Sequence, residues 1–182
     1  MSQINLLILL LNRYMKYCSL FCLVFIITAC GYKMTGLSEA GGNYTYYISQ
    51  IVNNSAESDY YSLMNKEIYH FFSNYNLLEE KGQANYFLTV TLKDLSTDTV
   101  ISSSTRQAIS SDISPILLFE VTDTAKNKVF SKEFTARGTY YVGSNLSTNV
   151  QNRYDAFLLS LREILLDFRH DFESAQRLNL LD

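Results

Sequence analysis

The stretch from Tyr154 to Phe172 most limits how this chain can fold. Tyr154, Phe157, Leu158, Leu161, Ile164, Leu165, Phe168 and Phe172 recur every three or four residues, with Arg162, Glu163, Asp167, Arg169 and His170 on the other side. That spacing predicts an amphipathic helix of about six turns. Its apolar stripe needs a second layer to cover it. The polar side mixes both signs of charge, which suits a helix covering a sheet rather than one lying on a membrane.

The preceding residues supply that layer. Tyr44 to Val52 is short, aromatic and β-branched, and reads as a strand. After the Asn53-Asn54-Ser55 break, Tyr60, Met64, Ile68, Phe71, Phe72 and Tyr75 form a second helical stripe, with Ser55 or Ser58 as its cap. Tyr86 to Lys93 alternates, Leu88, Val90 and Leu92 against Phe87, Thr89 and Thr91, as a half-buried strand does. Thr97 to Ser111 reads as a long Ser/Thr-rich loop, the tip of a protruding hairpin. Asp112 to Thr122 is a third strand, in which Pro115 demands an edge or a bulge. Lys128 to Arg137 is a fourth, extended by Tyr140 to Val142. The expected fold is an α+β two-layer sandwich in the order β-α-β-β-β-α. It has a four-stranded mixed sheet and two helices packed on one face, the first two strands parallel and the last three a meander.

The first thirty residues follow another pattern. An apolar run ends in Ile27-Thr28-Ala29-Cys30 and the chain then turns polar. A hydrophobic run, small residues and a cysteine in that order resemble the lipobox of bacterial lipoproteins. Residues 1–29 are then a signal peptide and Cys30 the lipid-bearing new N-terminus. Two alternatives stand beside this: a transmembrane anchor, for which Leu20–Ala29 is short, and an ordinary secretory signal with Cys30 a spare thiol. Met15-Lys16-Tyr17 opens a compact signal by itself, so translation is expected to start at Met15. Residues 30–43 form a linker punctuated by Gly36, Gly41 and Gly42, and residues 44–182 form the domain.

With the signal removed and Cys30 lipidated, no free thiol remains, which fits an oxidising envelope compartment. A net charge of −3 argues against nucleic acid as a partner. Fourteen tyrosines and eleven phenylalanines suit a large core with an interface beside it. His70 and His170 have no second ligand at metal spacing. No phosphate-cradling glycine loop or nucleophile motif occurs, so neither catalysis, nor a metal, nor any other cofactor is expected.

Cys30-Gly31-Tyr32, the strand–helix–strand unit, and the Phe134 to Val142 segment with Gly138-Thr139-Tyr140-Tyr141 before a long last helix together resemble the LPS-assembly lipoprotein LptE family. Members usually carry proline in the first strand, and Tyr44 to Val52 has none. The resemblance implies a plug inside the LptD β-barrel that helps lipopolysaccharide reach the outer leaflet, anchored to the outer membrane on its periplasmic side, without catalysis. Gly31 is not the aspartate that retains lipoproteins in the inner membrane of some bacteria. Alternating strand directions put Arg106, Arg137 and Arg153 toward the end far from the anchor. Arginine suits bidentate phosphate recognition, so these three are expected to meet lipopolysaccharide phosphates or the barrel wall, unless they are three separate surface arginines. The competing reading is an auxiliary lipoprotein or structural adaptor of another envelope lipid-transport complex.

Overall fold

In the computed structural model the described residues are 44–101 and 108–179. The chain runs β1 (Tyr46–Asn53), α1 (Tyr60–Asn74), β2 (Tyr86–Ile101), β3 (Ala108–Asp123), β4 (Lys128–Thr135), β5 (Gly138–Tyr141) and α2 (Leu146–Asn179). The sheet order is β1-β2-β3-β4, with β5 also on β3. β1 is parallel to β2, and the other pairings are antiparallel. The expected α+β sandwich is what the chain forms: one sheet face carries both helices, and the other has no helix on it among the described residues.

Alternation decides which side chains enter the core. Leu88, Val90 and Leu92 of β2 lie beside Val121, Phe119 and Leu117 of β3, all fully buried. From above come Met64, Ile68 and Phe72 of α1 and Phe157, Leu161, Ile164 and Phe168 of α2. Phe168 is the hub. Its ring stacks on Phe119 at 4.4 Å and 17° and stands edge-on to Phe130 at 5.8 Å and Phe134 at 6.3 Å. It also reaches Phe72 of α1 at 6.3 Å.

The fourth strand differs from expectation: its position is shared by β4 and β5. Ile116 pairs with Thr135 and Ile113 with Gly138, so Ser114 and Pro115 fall in the gap between the two. Pro115 thus sits at a local edge inside a central strand, where no ladder on that side needs its missing N–H. A bulge at Lys93, between the pairs of Leu92 and Asp94, lies beside it on β2. The break lets β5 approach α2 closely. A Cβ on Gly138 would lie 2.2 Å from the Ala156 carbonyl oxygen and 2.6 Å from Ser160 Oγ.

The expected loop from Thr97 to Ser111 is mostly strand. β2 continues to Ile101 and β3 begins at Ala108. Cross-strand bonds such as Thr99 Oγ1 to Ser111 Oγ, 3.1 Å, support the stem. Its side chains are largely polar, so no apolar alternation marks it in the sequence.

The helix ends also differ. Neither Ser55 nor Ser58 caps α1 through its side chain: the Ser55 N–H and hydroxyl both donate to Asn53 Oδ1, and α1 begins after Asp59 without a side-chain cap. α1 ends in a Schellman motif, with Asn76 left-handed at φ 52° while the Leu77 N–H donates to Phe72 O and the Asn76 N–H to Ser73 O. α2 starts two turns earlier than its aromatic stripe, because Asn145 Oδ1 accepts from the Ser147 N–H at 3.0 Å and caps it.

Two predictions follow from this packing. Gly138→Ala forces the β5–α2 contact apart and is expected to cost about 1–3 kcal/mol, as overpacking does, measured by urea unfolding. The second concerns Tyr46, whose hydroxyl is buried with no hydrogen-bond partner among the described residues. Burial, then the nearby Glu173, pushes this phenol well above its ordinary value, and burial raises Tyr60 and Tyr86 too. An acid whose folded-state pKa is raised holds its proton more tightly in the folded chain. The stability tied to it is complete below the unfolded tyrosine value and is lost as pH rises above about 10. Thermal melts across that range are expected to fall steeply for the parent and less so for Tyr46→Phe, with the two within about 1 kcal/mol at neutral pH.

Candidate functional site

The described domain has two distinct ends. At one, Tyr44 and Tyr86 pack against Phe172 at 5.8 and 5.1 Å, and Tyr86 is paired with Asp123 at the start of the β3–β4 turn. The Tyr86 hydroxyl donates to Gln176 Oε1, near the C-terminus of α2, at 3.4 Å. At the other end lie the β2–β3 stem, the β5–α2 turn and the Asn53–Asp59 connection. Asn149 pins that turn by accepting from the Gly143 N–H and donating to the Gly143 carbonyl, both at 2.8 Å. Asn152 adds a bond to the Tyr141 carbonyl at 3.1 Å.

The two described arginines, Arg137 and Arg153, fall at this second end but do not converge. Arg153, whose side chain is 28% exposed, pairs with Glu57 and lies 5.5 Å over the Tyr60 ring. It also donates to Thr97 Oγ1 at 3.4 Å. Burial works against its charge, but the Glu57 carboxylate, together with Tyr60 and Tyr140, more than offsets this and raises its pKa. Arg137, 71% exposed, stands 3.6 Å from Asp112, which accepts a 2.7 Å bond from the Thr139 hydroxyl. Thr97 is the cross-strand partner of Ile113, a core residue, whereas Asp112 is the next residue and faces the opposite side of β3. The two guanidinium groups therefore serve opposite faces of the sheet. Cys30 and Arg106 lie outside the described residues.

Apolar groups at this end escaped the sequence reading. Tyr141 and Leu146 are each 78% exposed, and Val150 is also exposed. Leu146, Val150 and Tyr154 continue the α2 stripe upstream at i, i+4 spacing, a signal hidden among Ser, Thr and Asn residues. The cap at Asn145 would have revealed it.

Several polar groups elsewhere pair within the fold. Arg162 grips Glu67 through Nε at 2.6 Å and Nη2 at 3.3 Å, joining α2 to α1 beside a cavity of about 210 Å³. Arg169 and Glu173 form a buried pair at 2.7 Å, with the guanidinium 4.7 Å from the Tyr75 ring. His70 bonds to Asn74 at 3.1 Å, and His170 lies 3.5 Å from Asp171. Among the described residues no three His, Cys, Asp or Glu side chains gather as a metal site, and no helix is long and apolar enough to cross a membrane.

No family model and no curated protein matches the sequence. Solved structures match the fold. A homolog of neuraminyllactose-binding hemagglutinin from Helicobacter pylori has a TM-score of 0.51 at 10% identity, over 83% of this chain and 97% of its own. The hypothetical protein CT253 from Chlamydia trachomatis has a TM-score of 0.51 at 10% identity, over 72% and 95%. Rare lipoprotein B from Shewanella oneidensis has a TM-score of 0.47 at 16% identity, over 73% and 99%. Bacterial lipoproteins are thus among the structural neighbours.

The two described arginines are expected to respond differently to truncation. Arg153→Ala strands a half-buried Glu57 and strips the Tyr60 ring, and is expected to cost about 1–2 kcal/mol. Arg137→Ala is expected to stay within about 0.5 kcal/mol, as exposed substitutions do. Urea unfolding of both, with Glu57→Gln to close a double-mutant cycle, measures the difference.

Proposed function

We propose that this protein is a lipid-anchored protein of the outer membrane, facing the periplasm, that acts as plug and assembly partner of an LptD-type β-barrel in lipopolysaccharide transport. The reading is supported above all by one observation: the order of elements that the LptE resemblance implies is met by the fold. The strand–helix–strand unit, the meander and the Gly138–Tyr141 strand running into α2 all occur in that order. The lipobox-like Ile27 to Cys30 supplies the anchor. Two or more acyl chains hold a protein firmly on a bilayer where one does not. The exposed Tyr141, Leu146 and Val150 suit contact with a barrel interior, since aromatic and apolar groups are enriched at interface centres. Arg153 is already engaged by Glu57, so lipopolysaccharide phosphates are assigned first to the exposed Arg137, with Arg106 as a second candidate.

The test begins at Cys30. Cys30→Ser is expected to abolish incorporation of labelled palmitate and release the chain from the membrane fraction. A tagged full-length chain is expected to copurify with an outer-membrane β-barrel, and its depletion to lower surface lipopolysaccharide. Copurification with an inner-membrane transporter instead would sink the reading.

A further inference from the structure

The free edge of β1 has the makings of a binding site. The chain itself occupies the first part of that edge: Tyr46 donates to the Leu77 carbonyl at 2.7 Å and accepts from the Glu79 N–H at 3.0 Å, in a parallel bridge with Leu78. Beyond Tyr46 no described residue pairs with the edge. The Tyr86 N–H bonds to Thr45 O and the Asn54 N–H to Leu92 O. With the bulge between Ile48 and Gln50, alternation then turns the N–H and C=O of Ile48 and Ile51 away from β2. The ladder to β2 does not use these groups, and they have no other backbone partner among the described residues.

Two grooves flank this open stretch, of about 370 and 530 Å³. Tyr69 and Tyr61, two helical turns apart on the exposed side of α1, form their outer wall. Glu79 and Glu80 line the first groove; among the described residues neither carboxylate has an ion pair and no basic residue lines either groove. An open row of backbone donors and acceptors recognises an extended chain. Exposed tyrosine faces and unpaired carboxylates favour lysine and arginine in it.

We propose that the β1 edge takes an extended, basic polypeptide segment of a partner protein as an additional strand. It would bond to Ile48 and Ile51 and set its basic side chains against Glu79, Glu80 and the two tyrosines. The bulge selects its occupant: the outward groups stand three residues apart instead of two, so a long flat strand does not fit in register. This inference does not rest on the barrel reading, because it concerns a different surface from the Tyr141–Val150 end.

The probe is a phage-displayed library of short random peptides, panned on the full-length protein in detergent. Enriched peptides are expected to be rich in Lys or Arg and to slow amide hydrogen exchange at Ile48 and Ile51. Glu79→Lys/Glu80→Lys, which leaves β1 untouched, is expected to weaken them about tenfold. Ile51→Pro removes an outward N–H without breaking the ladder to β2 and is expected to abolish binding. If Ile51→Pro fails to fold, the charge-reversed variant and the exchange data decide alone. Three results overturn the proposal: no enrichment, binders that leave the Ile48 and Ile51 amides exchanging as in the free protein, and protection of those amides by self-association without peptide.

Discussion

The stack of Phe168 on Phe119 is the contact on which the other layers depend. Phe119 sits in β3, the one strand that pairs with β2, β4 and β5. Fixing α2 to β3 therefore fixes it to the whole sheet. The same Phe168 ring meets Phe130 and Phe134 from β4 and Phe72 from α1, so one side chain joins both layers and both helices. Burying a phenylalanine is worth about 1.5–3 kcal/mol in transfer alone, and edge-on or offset neighbours add about 0.5–1.5 kcal/mol per pair. α1 is then positioned against α2 by Tyr60 on Phe157 at 4.6 Å and by the Arg162–Glu67 pair at the rim.

Away from that hub the two ends of the sandwich use different chemistry. The Tyr44 end is closed by aromatic rings, with Tyr46 and Tyr86 around Phe172. The other end is held by close backbone approach at Gly138 and by amide side chains at Asn145, Asn149 and Asn152. A helix and a strand that meet through a glycine and polar caps need few apolar residues between them. That leaves Tyr141, Leu146 and Val150 outside the core, and the end that lacks a large aromatic cluster presents apolar side chains to solvent.

What was legible in the sequence tracks which forces carry a periodic signature. The α2 stripe and the alternation of Leu88, Val90 and Leu92 come from burial on one face, and burial repeats with the element. Pro115 was legible as an edge residue because its missing N–H is a local property. The β2–β3 stem was not, because a run of Thr, Ser and Asp carries no apolar-polar alternation even where a serine such as Ser111 is buried. The split of the fourth strand was equally hidden, since it answers to a contact between Gly138 and Ala156 rather than to any property of either segment. The arginines were readable as charges but not as partners. Arg153 and Glu57 are separated by 96 positions, and only the fold joins them.

That pairing bears on how an anion can be recognised here. A guanidinium held by a carboxylate and laid over an aromatic ring must give up both before it can take a phosphate. Losing a charge-assisted bond in a half-buried setting costs about 1.5–3 kcal/mol. Arg153 would thus offset much of what a phosphate contact contributes. Arg137 is mostly in water and 3.6 Å from Asp112, too long for a tight hydrogen bond, so it gives up little on switching partners. Of the arginines that the sequence places toward one end, the two described ones therefore divide by their surroundings: Arg153 braces α1 against α2, and Arg137 keeps a guanidinium available on the sheet face opposite the helices.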